Sequence, residues 1–324
     1  MLKKSPRKAL VLGATGGVGG ETAAALLRHG WRVDAIARDP GKIAPSRSAE
    51  LSGINWIKGD AMQPDSIIDA AKGASIIVHA VNPPGYKKWD QLVIPMIKNT
   101  ISAARASGAR ILLPGTIYNY GIDAFPLLSE DSMQFPSTSK GKIRVQLEAL
   151  LEQASHEGVR SLIVRAGDFY GPRPGNNWFS QGMVKPGKVL NTVSYPGKKG
   201  VGHAWCYLPD LGETFAQLAD RESELEDFSR FHFAGHWDAD GTEIISAIRR
   251  ATANPNLKVK SVPWGLLAVI SPFSETVRAL CEIRFYWNSS VKLDNRKLTG
   301  FLGKEPQTTM DEAIQSTLEA LKVL

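Results

Sequence analysis

The stretch Lys8-Ala-Leu-Val-Leu-Gly13-Ala-Thr-Gly16-Gly-Val-Gly19-Gly constrains this chain more than any other. A short apolar run, Ala9 to Leu12, enters a glycine-rich turn, and the turn opens an amphipathic segment closed by Gly30. A strand delivered into a helix through glycines leaves backbone N–H groups unsatisfied at the helix start, where the dipole adds partial positive charge. Such a corner suits a pyrophosphate. Glycine is required where the turn takes unusual dihedrals and the backbone must approach a ligand closely. A glycine triplet alone also fits an ordinary strand–turn–helix, but its position behind the first strand points to a dinucleotide. The expected contacts are Gly13, Thr15, Gly16, Gly17, Val18 and Gly19.

The residues that follow keep alternating between the two periodicities. Strands are predicted over Arg32–Ala37, Asn55–Lys58, Ser75–Val81, Arg110–Leu113 and Ser161–Arg165. Helices are predicted over about Val18–His29, Asp65–Lys72, Gln91–Ser107 and Gly141–His156. This alternation implies βαβ units, hence an α/β fold: a Rossmann-type doubly wound parallel sheet with helices on both faces. Residues 171–200 are rich in glycine and proline and read as irregular. Trp205–Leu208 and a helix to Ala219 read as a return to the nucleotide domain. The expected division is residues 1–172, with a return segment at about 201–235, against a smaller C-terminal substrate lobe from 173–200 and 236–324.

Composition removes several alternatives. Two cysteines, Cys206 and Cys281, supply no disulfide framework and no metal-ligand spacing. A reducing, cytoplasmic setting and no metal are therefore expected. The basic N-terminus, from Met1 to Lys8, is followed by too short an apolar run to act as a signal peptide. The uncharged stretch Ser261–Ser274 contains Pro263 and Pro272 and is too short to span a bilayer, so no membrane partner is expected. The net charge is +7, but the cations are scattered in knots at Lys3-Lys4, Lys87-Lys88 and Lys198-Lys199, without interleaved aromatics. That pattern does not make a nucleic-acid platform; an anionic nucleotide accounts for it more simply.

Three further positions fall at predicted strand ends, the edge of an open α/β sheet that faces the ligand. Arg38 follows the second strand, where an acid would take a ribose 2′-hydroxyl and an arginine suits a 2′-phosphate. With Asp39 followed by Pro40 and Lys42 nearby, NADP is expected rather than NAD, although Asp39 swinging in would reverse this. Asp60, with Ala61, follows the third strand and reads either as an adenine contact or as a turn residue. Ala80, Val81 and Asn82 follow the fourth and should line the same crevice.

In order, Gly13-x-x-Gly16-x-x-Gly19, Asp60, Tyr120-Gly121, Arg165-Ala-Gly-Asp-Phe-Tyr170-Gly171-Pro172 and Trp205-Cys-Tyr-Leu-Pro-Asp210-Leu resemble the extended short-chain dehydrogenases/reductases of the epimerase/dehydratase type. The resemblance covers most of residues 8–220. It implies a Rossmann-type domain with a substrate lobe, NAD or NADP as cofactor, and a catalytic Ser or Thr with a Tyr-x-x-x-Lys on the following helix. Thr116 matches the hydroxyl position. At the helix, Lys140 stands at the tyrosine position and Arg144 at the lysine position, and the chain contains no Tyr-x-x-x-Lys.

Lys140 and Arg144, spaced i and i+4, share a helix face. A neighbouring cation and burial would lower the lysine pKa and fit it for proton transfer. Both could instead only bind cofactor ribose or phosphate, or simply face solvent. Tyr118 is a second possible acid, Tyr120 reads as packing, and His203 as a structural histidine near the pocket. Asp168, Phe169 and Tyr170 should shape the substrate pocket, with Arg173, Asn176, Asn177 and Trp178 beside it as substrate contacts or an ordinary turn. Two functions follow: an NADP(H)-dependent oxidoreductase or nucleotide-sugar epimerase-like enzyme acting on a small molecule, or a non-catalytic NADP(H)-binding redox sensor. The resemblance also implies a possible homodimer through the helices near 91–107 and 141–156.

Overall fold

The computed structural model describes residues 7–43, 51–83, 85, 87–173, 175 and 177–324. The Lys3-Lys4 knot and Asn176 lie outside the described residues. Among the strands are β1 (Lys8–Leu12), β2 (Arg32–Ala37), β3 (Ile54–Lys58), β4 (Ile76–His79), β5 (Arg110–Thr116), β6 (Leu127–Leu128) and β7 (Ser161–Ala166). The helices between them are α1 (Gly17–Arg28), α2 (Pro64–Ala71), α3 (Trp89–Ser107) and α4 (Ser139–Ser155). There follow β8 (Asp168–Tyr170), β9 (Thr192–Tyr195), β10 (His203–Tyr207), α5 (Leu208–Asp220), β11 (Phe228–Phe233) and β12 (His236–Asp238). The chain closes with α6 (Glu243–Ala251), β13 (Lys258–Ser261), α7 (Trp264–Ile270), α8 (Glu275–Glu282), β14 (Lys292–Leu293), α9 (Arg296–Leu302) and α10 (Met310–Ala320).

The main sheet is entirely parallel, in the order β11-β7-β5-β4-β1-β2-β3. Strand order reverses between β1 and β4, the crevice where open α/β sheets bind ligands. Leu10, Val11, Ile76, Ile77 and Val78 have no exposed surface, because helices cover both faces. On one face α5 packs against α1 so closely that a Cβ at Gly212 would stand 2.7 Å from the Glu21 backbone. On the other, α3 is flanked by α2 and α4. Gly108, at φ +74°, stops α3 in the left-handed conformation that glycine adopts without strain.

After the glycine- and proline-rich region the chain comes back against the main sheet through α5, which packs on α1. The Trp205–Leu208 run forms β10, which does not join the main sheet but lies between β8 and β12 in a separate three-stranded sheet. It is β11 that extends the main sheet, beside β7. A run of buried apolar residues says that a strand is covered, not which sheet covers it. The region read as irregular also holds a π-helical turn, Phe179–Met183, and β9, which pairs with β13. Trp178, Trp205, Trp264 and Trp287 pack together with Tyr170 and Tyr195 in the core of this C-terminal part.

A buried polar knot lies at the edge of the main sheet, between β7, β11 and α4. Arg165, with no exposed surface, makes a forked ion pair with Glu148 of α4 at 2.5–3.2 Å. It also donates to the Tyr120 hydroxyl at 2.7 Å, which in turn meets His232 Nε2 at 3.1 Å. His232 Nδ1 lies 3.1 Å from the Leu128 carbonyl, so this nitrogen carries the proton and Nε2 accepts from Tyr120. Tyr120 is thus a core residue.

Candidate functional site

The glycine turn has the geometry its sequence implies. Gly13 sits at φ +92°, and a Cβ there would lie 2.5 Å from the Ala80 carbonyl oxygen. A Cβ at Gly19 would lie 2.3 Å from the Gly13 carbonyl oxygen, so α1 starts pressed against the end of β1. Gly16 caps α1 without a side-chain hydrogen bond, and no acid stands in the first turn. Glu21, further in, is buried and ion-paired to Arg173 at 3.0 Å. An uncapped helix start free of negative charge fits a dinucleotide pyrophosphate.

At the adenosine end, Arg38 is exposed at the end of β2 and makes no ion pair among the described residues. The Asp39 carboxylate is engaged by Lys42 at 2.9 Å. Asp60 closes a turn: its carboxylate accepts from the Met62 N–H at 2.9 Å and its carbonyl from the Ser66 hydroxyl at 3.0 Å. The Ala61 carbonyl accepts from Asn99 of α3.

Beyond the glycine turn, the ends of β4, β5 and β7 border a partly open cavity. Val18, Ala80, Val81, Asn82, Thr116, Tyr118 and Arg144 line it, as do Asp168, Phe169, Asn177 and Trp178. Thr116 and Ala166 are register partners across β5 and β7, so the chain leaving β7 brings Asp168 to the same wall as Thr116. The Thr116 oxygen accepts from the Tyr118 N–H at 3.2 Å and caps the turn that aims Tyr118. Tyr118 packs on Tyr286, with ring centroids 5.4 Å apart. Gly141 is required beneath it, since a Cβ there would meet the Tyr118 carbonyl oxygen at 2.2 Å.

The helix pair divides. Arg144 lines the cavity and donates to the Asn82 side chain at 3.0 Å. Lys140, one turn earlier, is not among the lining residues. Both cations lie over the ring of Trp89, Lys140 Nζ at 5.5 Å and the Arg144 guanidinium at 5.1 Å. Burial lowers the Lys140 pKa below its ordinary value, against the opposing charges of Glu282 and Glu275.

Sequence reasoning passed over two of the groups here. His79 lines the cavity, and burial, assisted by the Arg144 charge, lowers its pKa to about 3. Its Nδ1 donates to the Thr100 hydroxyl at 2.8 Å, because that hydroxyl spends its own proton on the Met96 carbonyl. Trp89, two residues before the expected helix start at about Gln91, begins α3 and forms part of the wall. A histidine ending a buried strand was the available signal for the first; nothing local marked the second. His203 does more than pack, since its Nε2 meets the Asp168 carboxylate at 2.9 Å.

Residues 13–167 match the family model described as NAD(P)H-binding. A 3-diazoavenalumate denitrifying reductase of a Streptomyces species is 26% identical over 183 residues, 52% of this chain and 58% of that protein. An isoflavone reductase homologue of Zea mays is 36% identical over 76 residues, 22% of this chain and 25% of that protein. The chain therefore spans less than two thirds of the length of these relatives. In fold, it is similar to the UDP-glucose 4-epimerase of Bifidobacterium longum, solved with NAD+ and UDP. The TM-score is 0.75 at 14% identity, covering 97% of this chain and 98% of the other.

Proposed function

We propose that this chain, a member of the extended short-chain dehydrogenase/reductase superfamily, is an NADP(H)-dependent oxidoreductase that reduces a carbonyl on a small aromatic molecule. When bound, the nicotinamide supplies the hydride; the protein supplies position and the proton. The observation that carries this reading is that Thr116 and Tyr118 share one cavity with Trp89, Phe169 and Trp178. The Thr116 oxygen accepts from a backbone N–H, which leaves its own proton for a substrate oxygen. Tyr118 gives that oxygen its proton, with Arg144 lining the same cavity. Lys140 raises the local positive potential from beneath Trp89.

The aromatic wall suits a planar ring, and isoflavone reductases are named for such a compound. Arg144 is the only Lys or Arg among the described lining residues and Asp168 adds a negative charge, which disfavours a diphosphate there. Unpaired Arg38 beside a committed Asp39 supports NADP over NAD. Two copies paired through α3 and α4, in a reducing cytoplasm, complete the reading. Tyr118→Phe should lower kcat by about a hundredfold, the usual scale of a lost proton donor, with cofactor affinity unchanged. Unchanged turnover would overturn the assignment.

A redox-sensing role without turnover is the second reading, favoured by the exclusion of Lys140 from the cavity wall. Tight NADPH binding with no oxidation across aldehydes, ketones and nucleotide sugars would select it.

A further inference from the structure

The C-terminal part carries an apolar protrusion that the site does not use. Helix α7 buries only Trp264; Gly265, Leu266, Ala268, Val269 and Ile270 are all exposed. Phe273, in the 3-10 turn after it, is 90% exposed, Val269 70% and Leu266 58%. Single exposed apolar residues are ordinary, but a contiguous cluster of this kind marks a contact surface.

Charge selects the partner. From Ile244 to Ser274 the chain contains no acidic residue, while Arg249, Arg250, Lys258 and Lys260 all fall within it; Glu275, which follows, accepts from the Lys88 N–H at 2.9 Å. Arg250 is paired to Asp311. Lys258 and Lys260 lie on the exposed β13 and form no ion pair among the described residues. Arg278, also exposed, donates to the Pro272 carbonyl at 3.3 Å and so stands at the tip. Exposure of most of a short helix also suits a fluid apolar medium better than a flat protein face. Exposed apolar residues with Arg278 at the turn and Lys258 and Lys260 on the strand just before α7 fit the boundary of an anionic bilayer.

We propose that α7 and the Ser271–Phe273 turn dock this protein onto anionic membrane surfaces, lying in the interface rather than spanning it. No helix among the described residues is long and apolar enough to cross a membrane. The docking element is rigidly joined to the site. Trp264 packs on the cavity-wall residue Trp178 at 5.8 Å, and α8 holds the chain after β4 through Thr276 to the Gly85 carbonyl at 2.6 Å. The proposal does not depend on turnover.

The test is co-sedimentation of the full chain with phosphatidylcholine vesicles containing one third phosphatidylglycerol, with pure phosphatidylcholine as control. Binding should appear on the anionic vesicles and fall about tenfold or more in 0.5 M salt, in Lys258→Gln/Lys260→Gln and in Val269→Ser/Phe273→Ser. The substituted positions are exposed, so thermal unfolding should match the parent; if a variant misfolds, the salt and lipid comparisons on the parent chain decide. Absence of binding, or binding indifferent to lipid charge, would overturn the proposal. So would light scattering showing a dimer that Val269→Ser/Phe273→Ser dissociates, or capture of an acidic protein through the same face without vesicle binding.

Discussion

His203 Nε2 stands 2.9 Å from the Asp168 carboxylate, and the His203 ring lies flat on Trp287 at 3.8 Å between centroids. The contact fixes one oxygen of a carboxylate that borders the cavity. Asp168→Ala should remove the partner of a buried imidazole and cost about 1–3 kcal/mol in unfolding free energy. It should also raise KM more than it lowers kcat, since the wall loses its fixed polar group. Urea denaturation and steady-state kinetics with a turned-over substrate check both.

Arg38 offers a cleaner separation, because it is exposed and makes no ion pair among the described residues. Arg38→Ala should weaken NADPH about 10- to 100-fold, the scale of one lost charge-assisted contact, and leave NADH within about twofold. Fluorescence titration of the two nucleotides reads this directly. Equal binding of both by the parent chain would remove the NADP preference.

Acid should destabilise the fold through two buried histidines. His79 and His232 are held neutral, each with its pKa lowered to about 3 by burial, assisted by Arg144 and Arg165 respectively. A folded-state pKa below the unfolded value of about 6.5 means full stability above pH 6.5, lost as pH falls toward 3. Each site costs about 1.4 kcal/mol per pH unit in that window, roughly 4 kcal/mol for the pair at pH 5. Urea unfolding in steps from pH 7 to 5 measures the slope. His79→Asn, which keeps a donor for Thr100, should flatten the slope by one proton.

What the chain disclosed by itself follows from range. Strand β1, the glycine turn and the stop of α3 at Gly108 are decided within a few residues, and apolar spacing with dihedral demands made them readable. The parallel sheet followed from alternation. The assignment of β10 and β11 did not, since burial in either sheet leaves the same apolar run. The Asp168–His203 pair and the Arg165–Glu148–Tyr120–His232 knot join residues far apart in sequence, and no local pattern encodes which partner a buried ion meets. The cavity wall shows the same limit: Thr116, Tyr118 and Arg144 stood out, whereas Trp89 and His79 needed three dimensions.

The register pairing of Thr116 with Ala166 has a consequence for how such a site diversifies. The floor of the cavity is the hydrogen-bonded margin of two adjacent parallel strands, and any shift there would slide the ladder behind it. The roof, by contrast, is assembled from Phe169, Asn177 and Trp178, side chains outside that ladder. Substitutions overhead can therefore retune which molecule enters while the reacting oxygen keeps its seat. Descent from a common ancestor would vary the ceiling and inherit the ground.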